Sequence, residues 1–329
     1  MSIISEWYIP ITLGAVVISS AVLGFTIFRK SSNRQRTRVP TRTISHVIVY
    51  PIKGCKGVER YSASLSENGL VGDREYCIIV REPKDSKQWT TLSQNKCPKL
   101  ATIAVSIPTA GSHLTVSAPN SLSCTIKGSL EGPQYDVNFW ESIIRVVDQG
   151  DEASRWFSDY LGLDCRLARI LPGKHRRAIE SGVVSTTSLF YHTPILLLSR
   201  ESIESISEAV GTPINYNRFR PNIVIKDVGF PFEEDLLSSV SSKDWTMDGS
   251  ELCVRCSYPG VNQETGILDP LLVGKFRAIR NRAHIKMHPK YEEMAKDWKD
   301  NDYMVCVYMK VRPGASSKIF VGQEIIPEF

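Results

Sequence analysis

Gly249-Ser250-Glu251-Leu252-Cys253-Val254-Arg255-Cys256-Ser257-Tyr258-Pro259 is the stretch on which the reading of this chain turns. Leu252, Val254 and Cys256 alternate as on one side of a short β-strand, and Pro259-Gly260 then supplies a turn. A Cys-x-x-Cys ending a strand has three functional readings. A zinc knuckle would need two more ligands at close spacing, but Cys55, Cys77, Cys97, Cys124, Cys165 and Cys306 are scattered singly. A thioredoxin-type pair would put its first cysteine at a helix N-terminus within a βαβ pattern, and nothing around Cys253 has helical periodicity. The third reading is a thiolate beside a guanidinium, serving as a soft ligand to a metal that a cofactor brings in. The stretch alone leaves this reading open beside a plainer one, two buried structural cysteines.

Length and composition narrow the class. A chain of 329 residues allows two domains or subdomains, each able to bury a core. Hydrophobic residues at 42% and charged residues at 23% are those of a globular protein. The net charge of +5 is mild and partly gathered at one end, so it implies no nucleic-acid partner. Eight cysteines are too few and too scattered for a disulfide scaffold, which favours reduced thiols facing cytosol.

Tyr8 to Phe28 is a run of 21 uncharged residues rich in Ile, Val, Leu and Ala. As a helix it is long enough to cross the hydrocarbon core, about 30 Å thick. Trp7 and Tyr8 sit at one end as aromatic anchors, while Arg29, Lys30, Arg34, Arg36 and Arg38 follow the other. The positive-inside rule then places the bulk of the protein in the cytosol. A cleaved signal peptide would carry its basic residues before the apolar run, not after it. Residues 31–42 read as a polar tether.

From Ile44 short strands dominate: 44–50, 60–66, 75–80, 100–106, 113–117, 122–127 and 142–147, punctuated by Gly, Pro, Asn and Ser. Helix 151–161 starts on acidic residues and stops at Gly162, and strand 164–170 follows. Residues 172–188 carry no periodicity and are expected to be a loop. Strand 194–198 leads into helix 200–210, capped by Ser199 and closed by Gly211. Further strands are expected near 222–226, 251–256, 303–311 and 318–325, and helices near 233–238 and 288–297.

Three more stretches join the cysteine strand: Tyr50-Pro51-Ile52-Lys53-Gly54-Cys55-Lys56-Gly57, then Gly72-Asp73-Arg74, and Asn217-Arg218-Phe219-Arg220-Pro221-Asn222. With Thr265-Gly266 after Asn262, these four separated motifs resemble, in the same order, the MOSC superfamily. Within it the resemblance is to the amidoxime-reducing branch, molybdenum-cofactor enzymes of the outer mitochondrial membrane. The fold it implies is α+β and mostly β, a MOSC-type β-barrel domain with an N-terminal β-rich MOSC subdomain, behind one transmembrane helix. The segments would be 1–42 for anchor and tether, 43–171 for the N-terminal subdomain and 172–329 for the MOSC domain.

The resemblance implies molybdenum cofactor (Mo-molybdopterin), with Cys256 as the catalytic residue and metal ligand. It implies cofactor contacts from Lys53, Gly54, Arg74, His192, Thr193, Arg220, Asn222, Val254, Arg255 and Cys256. Physical chemistry gives reasons for several of these. Glycines beside Lys53 let backbone approach a ligand, and arginine suits bidentate phosphate recognition. Arg220 and Asn222 bracket Pro221 at an end expected to be exposed and rigid. Arg255 beside Cys256 is expected to favour its thiolate, while Cys253 would be structural. Gly54 replaces the family's serine, so only a backbone contact survives there. Tyr191 and His192 replace an acid and a hydroxyl residue, and a lone histidine more often serves structure. The implied reaction is reduction of N-hydroxylated compounds such as amidoximes. With no Gly-x-Gly-x-x-Gly unit and no haem motif, electrons would come from NADH through cytochrome b5 reductase and cytochrome b5. The alternatives are a carrier of cofactor or sulfur, and a tethered binding module without metal.

Overall fold

Arg42–Val49 is an eight-residue strand, and its side chains explain where the fold begins. Ile44 and Val47 face one core although an even spacing would separate them, because the ladder shifts between Ile44 and His46. In this computed structural model the described residues are 40–81, 87–107, 113–139, 142–171, 193–314 and 317–329, with the backbone of 177–178 and 184–185. The apolar run 8–28, the basic tether up to Val39, Tyr191 and His192 all lie outside them. Among the described residues no helix is long and apolar enough to cross a membrane. Residues from Val39 to Phe329 make one compact unit.

Arg42–Val49 pairs antiparallel with Ile223–Lys226 on one side, and with Val58–Arg60 and Glu324–Glu328 on the other. From Ile223–Lys226 the sheet runs through Ile195–Ser199, Tyr303–Val311, Thr246–Arg255 and Ser239–Ser241 back to Glu324–Glu328. The pairing of Arg42–Val49 with Ile223–Lys226 closes these strands into a ring. Ile44, Val47, Leu197, Ile225, Met247, Leu252 and Val307 fill its interior. The opposite face of the same strands is covered by helix α2 (Arg200–Val210) and helix α3 (Pro270–Arg280), over Leu196, Leu198, Ile206, Phe276 and Val305. With both faces covered, Ile195–Ser199 is buried at every position. A fully apolar strand is the expected sequence for that place.

A second, closed barrel is built from Tyr76–Arg81, Trp89–Thr91, Gln134–Phe139, Ser142–Asp148 and Arg166–Ile170. Beside it stand a three-stranded meander, Ala104–Ser106, His113–Ala118 and Ser121–Lys127, and helix α1 (Asp151–Leu161). Phe157 and Leu161 of α1 pack into the core shared with Leu114, Val116 and Ile126.

Both long helices expected from the sequence are found with the expected ends. Gly162 and Gly211 close α1 and α2 in the left-handed region, at φ of 76° each, and the Ser199 side chain accepts from Ser202 N. Helix α3 has no counterpart in the expectations above, although Asp269 caps it by accepting from Leu271 N and Leu272 N and Pro270 opens it. Five other elements are corrected. The segment 100–106 begins as a 3-10 turn, Pro98–Thr102, because Pro98 starts a turn. The segments expected as helices at 233–238 and 288–297 are short 3-10 turns, Glu233–Leu236, Pro289–Tyr291 and Met294–Asp297. The strand expected at 318–325 is split by a turn at Gly322 (φ 86°). The cysteine strand starts five residues earlier than expected, at Thr246. Gly249 lies inside it, where a Cβ would stand 2.0 Å from Tyr291 Oη and 2.7 Å from Leu237 O.

Candidate active site

The site gathers where the end of Arg42–Val49, the entry to Ile223–Lys226 and the end of Thr246–Arg255 meet. After Val49 the chain turns at Tyr50-Pro51, and Ile52 bridges to Tyr76. Gly54 has φ 91°, a conformation that favours glycine, and its carbonyl accepts from Gln94 Nε2 at 2.5 Å. Lys53 is half-buried, with Nζ 3.5 Å from the Leu92 carbonyl and 5.8 Å from the Phe139 ring centroid. Lys56 forms a 2.5 Å ion pair with Glu264 across the two halves of the chain.

Arg74 and Arg220 are both buried and both in the left-handed region, at φ 52° and 56°. Non-glycine residues held there signal a backbone fixed by its surroundings. Arg74 N donates to Tyr50 O at 2.6 Å, and Arg74 Nη1 pairs with Asp73 Oδ2 at 2.5 Å. Arg220 Nη1 donates to Cys55 O at 2.7 Å, which ties it to the Lys53-Gly54 loop. The Tyr50 ring lies between the two guanidiniums, 4.5 Å from Arg74 and 4.2 Å from Arg220. Burial lowers the Arg220 pKa, and the neighbouring Arg74 charge adds to that while Tyr50 opposes it. Two like charges this close are stabilised by an anion.

Asn222 corrects an expectation. Far from being exposed, Arg220 is 8% accessible and Asn222 0%. Asn222 Nδ2 donates to Ile48 O and Asp73 Oδ1, each at 3.1 Å, while Oδ1 accepts from Leu196 N at 3.3 Å. Its amide is occupied in tying three strands to Asp73, so it supports the site from behind. Thr193, before Ile195–Ser199, is buried with its hydroxyl unpartnered.

Of the eight cysteines, Cys256 alone is exposed. Leu252 faces the ring interior and Cys253 the layer beneath the helices, and Val254, 39% exposed, lies where the ring ends. Across from Cys253 the partner strand bulges at Cys306, whose φ is 79°. Arg255 does not serve Cys256 as expected. Its Nη1 donates to Cys253 Sγ at 3.0 Å and its Nη2 to Phe219 O at 2.8 Å. The Phe219 contact places Arg255 one residue from Arg220. Tyr303 Oη donates to Cys256 O at 2.9 Å.

These contacts bring Lys53, Gly54, Arg74, Arg220, Arg255 and Cys256 to one region; Thr193 lies three residues before Leu196, which Asn222 holds, and His192 lies outside the described residues. Among the described residues Tyr50 Oη, Arg220 Nη2 and Thr193 Oγ1 are buried polar atoms that find no hydrogen-bond partner. Orphaned donors of this kind ordinarily answer to a ligand. Arginines of this kind suit a phosphate, and Arg220 brings an Nη2 that finds no partner among the described residues. Among the described residues no group of three His, Cys, Asp or Glu could cage an ion. A single thiolate instead suits a metal that arrives with its other ligands.

The family models agree with this layout. The MOSC N-terminal beta barrel domain matches residues 41–164, and the MOSC domain matches residues 172–325. The chain belongs to the MOSC family. Amidoxime reducing component 2 from the mitochondria of Rattus norvegicus is 28% identical over 272 residues, 78% of each chain. Mitochondrial amidoxime-reducing component 1 of Mus musculus is 25% identical over 268 residues, 78% of this chain and 77% of that one. The molybdenum cofactor sulfurase of Oryza sativa subsp. japonica is 25% identical over 254 residues, 71% of this chain and 30% of the sulfurase. This MOSC chain therefore has molybdenum-cofactor-related relatives of two kinds.

Several residues of the MOSC site had no motif to announce them. Tyr50 stood at the edge of a quoted stretch, and its apolar ring with a polar tip between two arginines was a readable hint. Gln94, Gln263 and Tyr303 are polar residues in unremarkable segments, and only the fold joins the first two beside Gly54 and Tyr258 and brings the third to Cys256.

Proposed function

We propose that this chain is a molybdenum-cofactor oxidoreductase reducing N-hydroxylated compounds, amidoximes and hydroxylamines among them. The observation that carries the reading is the exposed Cys256 on the strand beside the buried arginines, of which Arg220 has an Nη2 with no partner among the described residues. The donor set suits the cofactor: Arg74 and Arg220 for its phosphate, Lys53, the Gly54 backbone, Thr193, Val254 and Arg255 around it, and the Cys256 thiolate on the metal. When bound, the cofactor supplies two-electron redox chemistry, and the protein binds and orients it. The overall change balances as amidoxime plus two electrons and two protons giving amidine and water, with the N–O bond broken. Electrons come from NADH through cytochrome b5 reductase and cytochrome b5. Residues 8–28 anchor the protein in the mitochondrial outer membrane, with the ER membrane as the alternative, and the catalytic part faces the cytosol.

A second reading, a carrier of molybdenum cofactor or sulfur, is favoured by the sulfurase relatives. The test is molybdenum and pterin analysis of the purified full chain, followed by NADH-driven reduction of a model amidoxime with cytochrome b5 and its reductase. About one molybdenum per chain together with amidine formation supports the reductase. Bound cofactor without turnover favours the carrier, and protein free of molybdenum from cofactor-competent cells rejects both.

A further inference from the structure

The turn Ser93–Cys97 of the N-terminal half reaches across to the cysteine strand. It is tight: Lys96 N and Cys97 N both donate to Ser93 O, at 3.1 and 2.8 Å. Gln94 in it is fully buried. Its Nε2 donates to Gly54 O at 2.5 Å, its backbone N donates to Tyr258 Oη at 2.9 Å, and its amide exchanges bonds with that of Gln263, each at 3.3 Å. Gln94 thus pins the turn to the cofactor loop and to the segment after Cys256 at once.

The next residue, Asn95, is exposed. Its Oδ1 accepts from Ser257 Oγ at 2.9 Å, and Ser257 directly follows the exposed Cys256. An exposed asparagine on an ordinary loop wanders. This one is held by a buried neighbour on one side and by Ser257 on the other. With Oδ1 engaged, the Nδ2 group offers two N–H donors, and no protein acceptor takes them among the described residues. The amide does not titrate, so it donates equally at every pH an enzyme meets.

We propose that Asn95 is a substrate-positioning residue, whose amide N–H donates to the oxygen of the N–O group brought up to Cys256. The proposal rests on the reductase reading. The oxygen of an N–O group accepts a hydrogen bond, and an uncharged amide N–H can supply it without adding a charge beside the metal site. It also gives the N-terminal barrel a direct part in selecting small N-oxygenated substrates.

The experiment compares Asn95→Ala, Asn95→Asp and Asn95→Gln in the full-length, cofactor-loaded protein with saturating reduced donor. Loss of one neutral hydrogen bond lowers kcat/KM for a model amidoxime roughly threefold to tenfold. The expected pattern is that loss in Asn95→Ala and Asn95→Asp, carried mainly by KM, with partial recovery in Asn95→Gln. Molybdenum content, melting temperature and the rate of cofactor reduction by the donor stay at wild-type values. Unchanged kcat/KM in the alanine and aspartate variants overturns the proposal, as does loss of molybdenum, which would make Asn95 structural. Calorimetric binding of the amidoxime to wild-type and Asn95→Ala protein separates this from the reductase reading. Weaker binding by the variant supports Asn95 even if the wild type does not turn over, and equal or absent binding overturns it.

Discussion

Cys256 and Cys253 are three residues apart and live in different surroundings. The first is exposed where the ring ends; the second is buried and accepts from Arg255 Nη1 at 3.0 Å. Under the proposed function, Cys256→Ala abolishes amidoxime reduction per molybdenum, and Cys256→Ser, a harder oxygen donor, does not restore it. Cys253→Ala leaves turnover per molybdenum near wild type but costs about 1–3 kcal/mol of stability, since a guanidinium loses its acceptor. Rates and urea midpoints of the three variants check this, and equal loss of activity from both alanine variants would contradict the assignment. Arg220→Ala removes a charge-assisted contact of about 1.5–3 kcal/mol to a bound phosphate. Molybdenum retained after dialysis should fall while the melting curve stays cooperative. At this scale the grouping of the motifs was legible, because the Lys53-Gly54 loop, Arg74, Arg220 and the cysteine strand are joined by direct contacts. What was not legible was partnership: adjacency in sequence suggested Arg255 for Cys256, but alternating side chains put its guanidinium beside Cys253.

Helices α1 and α2 were readable to the residue because their ends carry local signals, a serine cap and glycines with no Cβ to strain. Helix α3 carried one too, the Asp269-Pro270 start, but its apolar residues are interleaved with Gly274 and basic side chains that blur the period. The cysteine strand extends past Gly249 for a reason that only packing supplies. Tyr291 Oη donates to Leu237 O at 2.5 Å in the space a Cβ would take. Gly249→Ala should therefore destabilise by about 1–3 kcal/mol, read from chemical denaturation. The 3-10 turn Glu233–Leu236 and the end of α3 share a buried pair, Arg280 Nη2 to Asp235 Oδ2 at 2.5 Å. Burial pushes the Asp235 carboxyl up to about 7 despite Arg280, with Glu234 adding to the rise. The native state then holds a proton that the unfolded chain has released from about pH 4 upward, so this group's contribution falls as pH rises from about 4 to about 7. Asp235→Asn removes that slope. Urea midpoints at pH 5 and pH 7.5 should differ between wild type and variant in that sense, and parallel pH profiles would contradict it.

Residues Val39 to Phe329 are a compact unit of their own. A protein starting at Val39 should fold cooperatively, keep its cofactor and, if the apolar run is the anchor, leave the membrane fraction for the supernatant. Fractionation and molybdenum analysis check this; an aggregated product would contradict it. A mostly β chain was legible from short strands and turn residues and the resemblance supplied the barrel, but which strands close the ring was legible from neither. Nothing local in Arg42–Val49 shows that its neighbours lie about 180 and 280 residues away. That closure has a consequence for biosynthesis. Arg42 and Thr43 pair with Ile325 and Glu324, so this strand leaves the ribosome about 280 residues before the partner that closes the ring. Until then the ring stays open beside Ile44 and Val47, even once Ile223–Lys226 has emerged to pair with them, and loop closure over that distance is slow. The smaller barrel, whose strands all lie between Tyr76 and Ile170, can form meanwhile. The nascent chain thus passes through a stage with one barrel finished and one open, in which a holdase chaperone has a defined apolar segment to cover.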